Sequence, residues 1–409
     1  MTGRYTRNLK ERLGFVPAKK VQGLPGRPRI WIHSVSLGEV KVAAAIIDAL
    51  RRIMPDCSLV VSTITEHGRK LAGETFGEDI PVIYAPIDFA GSVRKALSTV
   101  RPDVMVFVET EIWPAWLFET RRMGIKTALI NGRISGRSIG GYLKLHPFFR
   151  EVLKSFDAFS MIMEKDADRI RAMGADPKKI EINGNAKYDL LGSTADPAME
   201  TEMRQMLNLK TEDIVFVAGS TREGEEAMVL DAYEKILEEF PEAILTIVPR
   251  HIERTPSIGA LVERRGFKYQ LRTDLDRVKA KRTQQVVIVN TFGELFKVYS
   301  VGTIVYCGAS LVPLGGQNPL EPAIWRKTVF FGPYMENFLD ASTLLKSAGA
   351  GVSVSSPEVL AEKAIWFLRH PDELKRCGEL AREVVLKQQG AAEKQARVIQ
   401  RLWRGVGGS

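Results

Sequence analysis

At 409 residues, with 45% hydrophobic and 26% charged side chains, the chain is too long and too apolar to be a disordered polymer, and its length predicts two globular domains. Cys57, Cys307 and Cys377 are too far apart for a metal-ligand spacing and too few for a disulfide scaffold, which points to a reducing compartment. The formal charge of +9 gathers in residues 1–29, where eight Lys or Arg face the one acid Glu11, so the body is nearly neutral and a nucleic-acid-binding face is excluded.

That basic arm has two readings, a segment that lies on acidic lipid headgroups or a solvated terminus. No apolar run approaches the roughly 18 residues that span a bilayer, and no signal-peptide core follows Met1, so the chain reads as soluble or peripheral.

From residue 30, short β-branched apolar runs alternate with amphipathic stretches, the pattern of a parallel sheet with crossover helices. Strands are predicted over Ile30–Val35, Ser58–Thr63, Val82–Tyr84, Val104–Val108 and Lys126–Ile130, with helices over Glu39–Ile53, Glu66–Phe76, Ala90–Val100 and Pro114–Met123 between them. Ligands of such sheets bind at the carboxyl ends of the strands.

Four segments in this half carry candidate chemistry. In Trp31–Glu39, a Ser/Gly turn leads into a helix whose first turn carries Glu39, placed either to take a proton from an acceptor hydroxyl or simply to complement the helix dipole. Val108–Pro114 carries Glu109, Glu111 and Trp113, to bind sugar hydroxyls or cations, or to cap a helix in solvent. Asn131–Ser135 and Asn183–Lys187 each supply a turn with one cation, Arg133 and Lys187, suited to an anionic substrate or to the surface. His33 is expected in a strand-end loop.

A second cycle begins after the polar segment Leu191–Asp213, with strands over Ile214–Ala218, Ile244–Val248, Val286–Val289, Thr303–Tyr306 and Thr328–Phe331, and a helix over Glu225–Phe240. Its strand-end loops are Ala218–Glu225 with Ser220, Val248–His251 with Pro249 and Arg250, Asn290–Leu295, and Gly315–Pro322. Glycine turns let backbone N–H groups approach a phosphate, and Asn318 and Glu321 can hydrogen-bond a ribose or base, so the four loops together predict a nucleotide pocket. Residues Pro357–Trp403 read as nearly continuous helix, broken at His370-Pro371 and long enough to pack back on the first domain. The Walker lysine motif, Gly-x-Gly-x-x-Gly after the first strand, the Gly-x-Ser-x-Gly elbow and a zinc-type His/Cys cluster are all missing from the sequence. The expected α/β architecture is a basic arm (1–29), an acceptor-binding Rossmann-like domain (30–205), a nucleotide-sugar-binding Rossmann-like domain (206–385) across a cleft, and a crossover helix with tail (386–409).

These segments, in this order from about Leu9 to the C-terminal helix, resemble the transferases of 3-deoxy-D-manno-octulosonic acid (Kdo), inverting glycosyltransferases of the GT-B fold in lipopolysaccharide synthesis. The resemblance implies CMP-Kdo as donor, a lipid A precursor (lipid IVA) as acceptor, no metal or cofactor, and a place on the cytoplasmic face of the bacterial inner membrane, peripheral or anchored by a segment that the chain lacks. Position by position, Glu39 falls on the family's proton acceptor, and Pro249, Arg250, Phe292, Gly293, Glu294, Asn318, Pro319, Leu320 and Glu321 fall on its CMP-binding segments. Glu109, Glu111, Arg133, Lys187 and Ser220 are candidate substrate contacts. The chain departs from the family's usual pattern at Gln317, Phe292 and Arg222. A transferase or epimerase of this fold using a UDP-sugar, or a non-catalytic sugar-nucleotide-binding module, are the alternatives.

Overall fold

The computed structural model describes residues 8–136, 138–189, 191, 195–277 and 281–405. Residues 1–7 of the basic arm and 406–409 of the tail lie outside them. The chain divides into two compact units, one of residues up to 190 together with those from Gln388 onward, the other Leu191–Lys387.

Each unit is built on a parallel sheet, seven-stranded among the described residues. In the first, β1 (Arg29–His33), β2 (Ser58–Thr63), β3 (Val82–Tyr84), β4 (Val104–Val108), β5 (Lys126–Gly132), β6 (Ala158–Met161) and β7 (Ile180–Ile182) are ordered 3-2-1-4-5-6-7. In the second, β8 (Val215–Thr221), β9 (Ile244–Pro249), β10 (Tyr269–Leu271), β11 (Val286–Ile288), β12 (Ile304–Cys307), β13 (Val329–Phe331) and β14 (Gly351–Ser353) are ordered 10-11-9-8-12-13-14. Strand order therefore reverses between β1 and β4, and again between β8 and β12, which makes a crevice at those carboxyl ends in each unit.

The inner strands read as unbroken apolar runs because helices cover both faces. On one face of the first sheet, Trp31, Met105, Phe107 and Leu129 pack with Val93 and Leu97 of the helix Ala90–Val100 and with Trp116 of Pro114–Arg122. On the other, Ile30, Ile32, Val106 and Ile130 meet Val40, Ile46 and Leu50 of the helix Leu37–Ile53. That face also receives Ala392, Ala396 and Ile399 of the last helix, Ala391–Arg404.

All ten expected strands are present, with ends shifted by up to three residues. The additional strands are β6, β7, β10 and β14; the last three are short and lie at sheet edges, where one side has no partner to demand an apolar run. The C-terminal stretch breaks at His370 as expected, and again before Ala391, where Gly390 adopts φ +87°. That left-handed turn starts a separate helix.

The described part of the arm is packed rather than a solvated tail. Glu11 accepts from Arg69 Nη1 and Tyr84 N, both at 2.8 Å, and Arg12 donates to Ile64 O at 2.6 Å. Gly14, at φ +89°, lies so close to the helix Ala90–Val100 that a Cβ there would sit 2.1 Å from Ser92 O.

Candidate active site

The first constellation lies at the β1/β4 reversal. Ser36 caps the helix Leu37–Ile53, its Oγ accepting from Glu39 N at 3.3 Å. Glu39 turns back onto the same loop: Oε1 accepts from Ser36 Oγ at 2.9 Å and Oε2 from Val35 N at 2.7 Å. This is a capping box in which the acid reaches one residue further back than usual. The two readings of Glu39 thus meet in one residue, since the hydrogen bonds that cap the helix also fix the carboxylate.

Only 6% of Glu39 is exposed. Burial pushes its carboxyl up to about 7, against the two hydrogen bonds that favour the charged form, and the charges of Glu111 and Glu109 push in the same direction. A carboxyl poised there can accept a proton near neutral pH.

Glu109 follows β4 at φ +63°, and its Oε1 pairs with Lys187 Nζ at 2.5 Å. Lys187 lies beside the start of the Glu39 helix, where a Cβ at Gly38 would be 3.8 Å from its Nζ. Glu111 accepts from the Trp113 indole N–H, and burial raises its carboxyl pKa, with the Glu109 charge adding to the effect. Arg133, after β5, approaches through its backbone N–H, 3.4 Å from Glu109 O. Glu39, Glu109, Glu111 and Lys187 are therefore brought together at one edge.

His33 corrects the sequence reading. It is the last residue of β1, not a loop residue, and is fully buried, stacked on Trp116 with centroids 5.2 Å apart and edge-on to Trp113. Burial drives its pKa down to about 3, so the ring stays neutral and serves as packing under the loop.

Sequence reasoning missed what holds Lys187. Asn131 Oδ1 accepts from Ala186 N at 2.9 Å, and Gln395, fully buried in the last helix, donates to Gly184 O at 2.8 Å and Asn131 Oδ1 at 3.3 Å. The available signal was an amide on the apolar stripe of Ala392, Ala396 and Ile399.

The second constellation occupies the adjacent strands β11, β9, β8 and β12 of the other unit, whose carboxyl-end loops are the four expected ones. Ser220, buried at φ +54°, is the penultimate residue of β8 and lies so close to the start of the loop after β12 that a Cβ at Gly308 would lie 2.6 Å from its carbonyl oxygen. Arg250 is exposed after Pro249, and its backbone N–H donates to Thr221 O at 3.0 Å. Phe292 is 83% exposed beside Gly293 at φ +89°, while Glu294 accepts from Arg272 Nη2 at 2.8 Å and Thr291 Oγ1 at 2.5 Å. Asn318 Oδ1 accepts from Leu320 N at 3.2 Å and its Nδ2 faces Glu321 Oε1 at 3.4 Å, in the turn through Pro319 that opens the short helix Leu320–Ile324.

A residue not singled out by the sequence organises this edge. Glu225, fully buried, accepts from Tyr306 Oη at 2.6 Å and from the backbone N–H groups of Arg222 (2.9 Å), Ala309 (2.6 Å), Ser310 (2.9 Å) and Leu311 (3.1 Å). It ties the end of β8 to the loop after β12. Among the described residues no group of three or more His, Cys, Asp or Glu could hold a metal ion.

Residues 7–190 match the family described as 3-deoxy-D-manno-octulosonic-acid transferase (kdotransferase). A 3-deoxy-D-manno-octulosonic acid transferase of Haemophilus influenzae is 28% identical over 392 residues, covering 96% of this chain and 90% of the relative. A bifunctional glycosyltransferase/methyltransferase of Fusobacterium nucleatum is 33% identical over 331 residues, 80% of this chain; the match spans 51% of that protein, about half its length. The crystal structure of a glycosyltransferase from Rickettsia africae superposes with a TM-score of 0.63 at 14% identity, over 94% of this chain and 100% of that one, and shares the fold. Residues 7–190 thus match the 3-deoxy-D-manno-octulosonic-acid transferase family, and a transferase of that name is similar to the chain across nearly its whole length.

Proposed function

We propose that this chain is an inverting glycosyltransferase that moves Kdo from CMP-Kdo to a lipid A precursor, lipid IVA, at the cytoplasmic face of the bacterial inner membrane. The observation that carries the reading is the Glu39 carboxylate, buried, fixed by Val35 N and Ser36 Oγ, and lifted to about 7.

In the proposed single displacement, the acceptor hydroxyl oxygen forms a bond to the Kdo anomeric carbon as the bond from that carbon to the CMP phosphate oxygen breaks. Glu39 takes the hydroxyl proton, and the leaving CMP keeps the electron pair. The Lys187–Glu109 pair orients the acceptor beside it. In the other unit, the exposed Arg250 side chain offsets charge growing on the leaving phosphate, an interaction stronger in the transition state than before it. The exposed Phe292 ring offers a face for cytosine stacking, and Asn318 and Glu321 offer polar groups for the ribose.

Transfer from CMP-Kdo to a tetraacylated lipid A precursor, read by mass of the lipid product, tests the reading. Calorimetry is expected to show CMP bound in preference to UDP. No product together with a preference for UDP would turn the assignment to a UDP-sugar enzyme.

The pH profile follows from Glu39. A base works only when deprotonated, so kcat/KM is expected to rise about tenfold per pH unit below about 7 and to level off above it. A limb near the ordinary carboxyl value, 4.5, would remove Glu39 from the proton transfer.

A further inference from the structure

A groove of about 850 Å³ lies on the first unit, between the packed arm and the helix Ala90–Val100. It belongs to the opposite end of the sheet from Glu39: Arg29 begins β1, and Arg101 and Asp103 immediately precede β4. The five residues of β1, at about 3.3 Å each, separate it from the Glu39 loop.

Five cationic side chains line this groove: Arg27, Arg29, Arg94, Lys95 and Arg101. Two already have carboxylate partners, Arg27 with Asp103 at 2.5 Å and Arg94 with Glu119 through two bonds of 2.9 Å. Among the described residues, Arg29, Lys95 and Arg101 make no ion pair. Arg29 donates from Nη1 to Val100 O at 2.6 Å, but its Nε is buried with no acceptor. Burial and then the charge of Arg27 hold this guanidinium below its ordinary pKa despite the nearby Asp103 carboxylate, so the charge of an arriving anion would favour its protonated form.

The walls are built rather than loose, since Gly14 sits against Ser92 and Glu11 and Arg12 anchor the arm. At the rim the Lys95 ammonium stands 4.4 Å over the ring of Phe15, which is 56% exposed, and the same arm exposes Leu9 and Leu13. Unpaired cations edged by apolar side chains match an amphiphile with a phosphate at its head. A free phosphate has no use for the apolar rim.

We propose that this groove seats the phosphate of an anionic phospholipid headgroup, with Arg29, Lys95 and Arg101 as its donors and Phe15 against the lipid's apolar part. The site is separate from the one that carries out transfer, and it rests on the proposed function only in taking a membrane as the source of the lipid. It differs from diffuse attraction of the basic arm in depending on particular side chains.

The test uses the full chain and sedimentation with phosphatidylcholine vesicles, with and without phosphatidylglycerol. Lys95→Gln with Arg101→Asn removes two donors, and asparagine accommodates the left-handed φ of +51° at position 101. Lys41→Gln with Lys70→Gln removes the same charge from other helices of the unit. Affinity for phosphatidylglycerol vesicles is expected to fall at least about tenfold in the first variant and to change little in the second. Equal losses in both would reduce the effect to net charge and overturn the groove. Titration with inorganic phosphate that shifts the groove's residues, without vesicle binding, would overturn the lipid assignment. Transfer to acceptor dispersed in detergent should be untouched in both variants, so a protein without transferase activity would fail the proposed function and not this site.

Discussion

Glu39→Gln is expected to lower kcat for transfer by about a hundredfold to ten-thousandfold, the usual contribution of a positioned general base, while CMP affinity stays within about twofold. Glutamine is nearly the same size and keeps an oxygen for Val35 N or Ser36 Oγ, so the cap geometry survives and only the proton acceptor is lost. A second readout separates the base from a plain helix cap. The Glu39 carboxyl has its folded pKa raised to about 7 from 4.5, so between those values the folded protein holds a proton that the unfolded chain has released. That contribution to stability is present below about 4.5 and is lost as pH rises towards 7. The glutamine variant has no such proton, so its denaturation midpoint relative to the parent should improve across that window. Wild-type transfer rates in the variant would refute the base assignment, even if the stability shift appeared.

Glu225→Ala is the largest stability loss expected in the second unit, about 3–5 kcal/mol, because it strands a buried hydroxyl and several backbone amides at once. Arg222, Ala309 and Ser310 direct their N–H groups at this one carboxylate. Leu311 N keeps an alternative acceptor in Tyr306 Oη at 3.2 Å; the others have no replacement of comparable reach. Glu225→Gln should cost less, since one carbonyl oxygen remains while the new NH₂ faces donors. The loop after β12 carries the Gly315–Pro322 turn, so CMP affinity should fall with stability. Urea unfolding of the two variants measures the first effect and calorimetry the second; an unchanged midpoint for the alanine variant would show that the hub is not holding the edge together.

The fold was legible in the sequence because its signals are redundant. β2, β4, β8 and β9 are inner strands covered on both faces, so their residues are all apolar or small, and β1 keeps an apolar run, Ile30–Ile32, between its two polar ends. Strands at sheet edges carry no such demand, and Ile180–Ile182 or Gly351–Ser353 look like loop. The placement of the candidate residues was legible where a motif follows a strand, as at Glu39, Glu109 and the four loops of the second unit, since topology sends strand ends to one edge. Glu225 and Gln395 were not, because their partners lie 81 and 264 residues away, for Tyr306 and Asn131 respectively, and nothing local distinguishes a buried acid or amide from a solvated one. His33 was misplaced for the related reason that a histidine inside a strand has no neighbour in sequence that announces the tryptophan stacked on it.

The last helix has a consequence for biosynthesis. Ala391–Arg404 supplies part of one core face to a unit whose seven described strands all precede residue 191, and Asp189 fixes its start by accepting from Gly390 N at 2.7 Å. The unit begun before Leu191–Lys387 is thus completed only after it, its sheet keeping a bare apolar strip until Ala391–Arg404 is synthesised, while the uninterrupted Leu191–Lys387 can close on itself earlier.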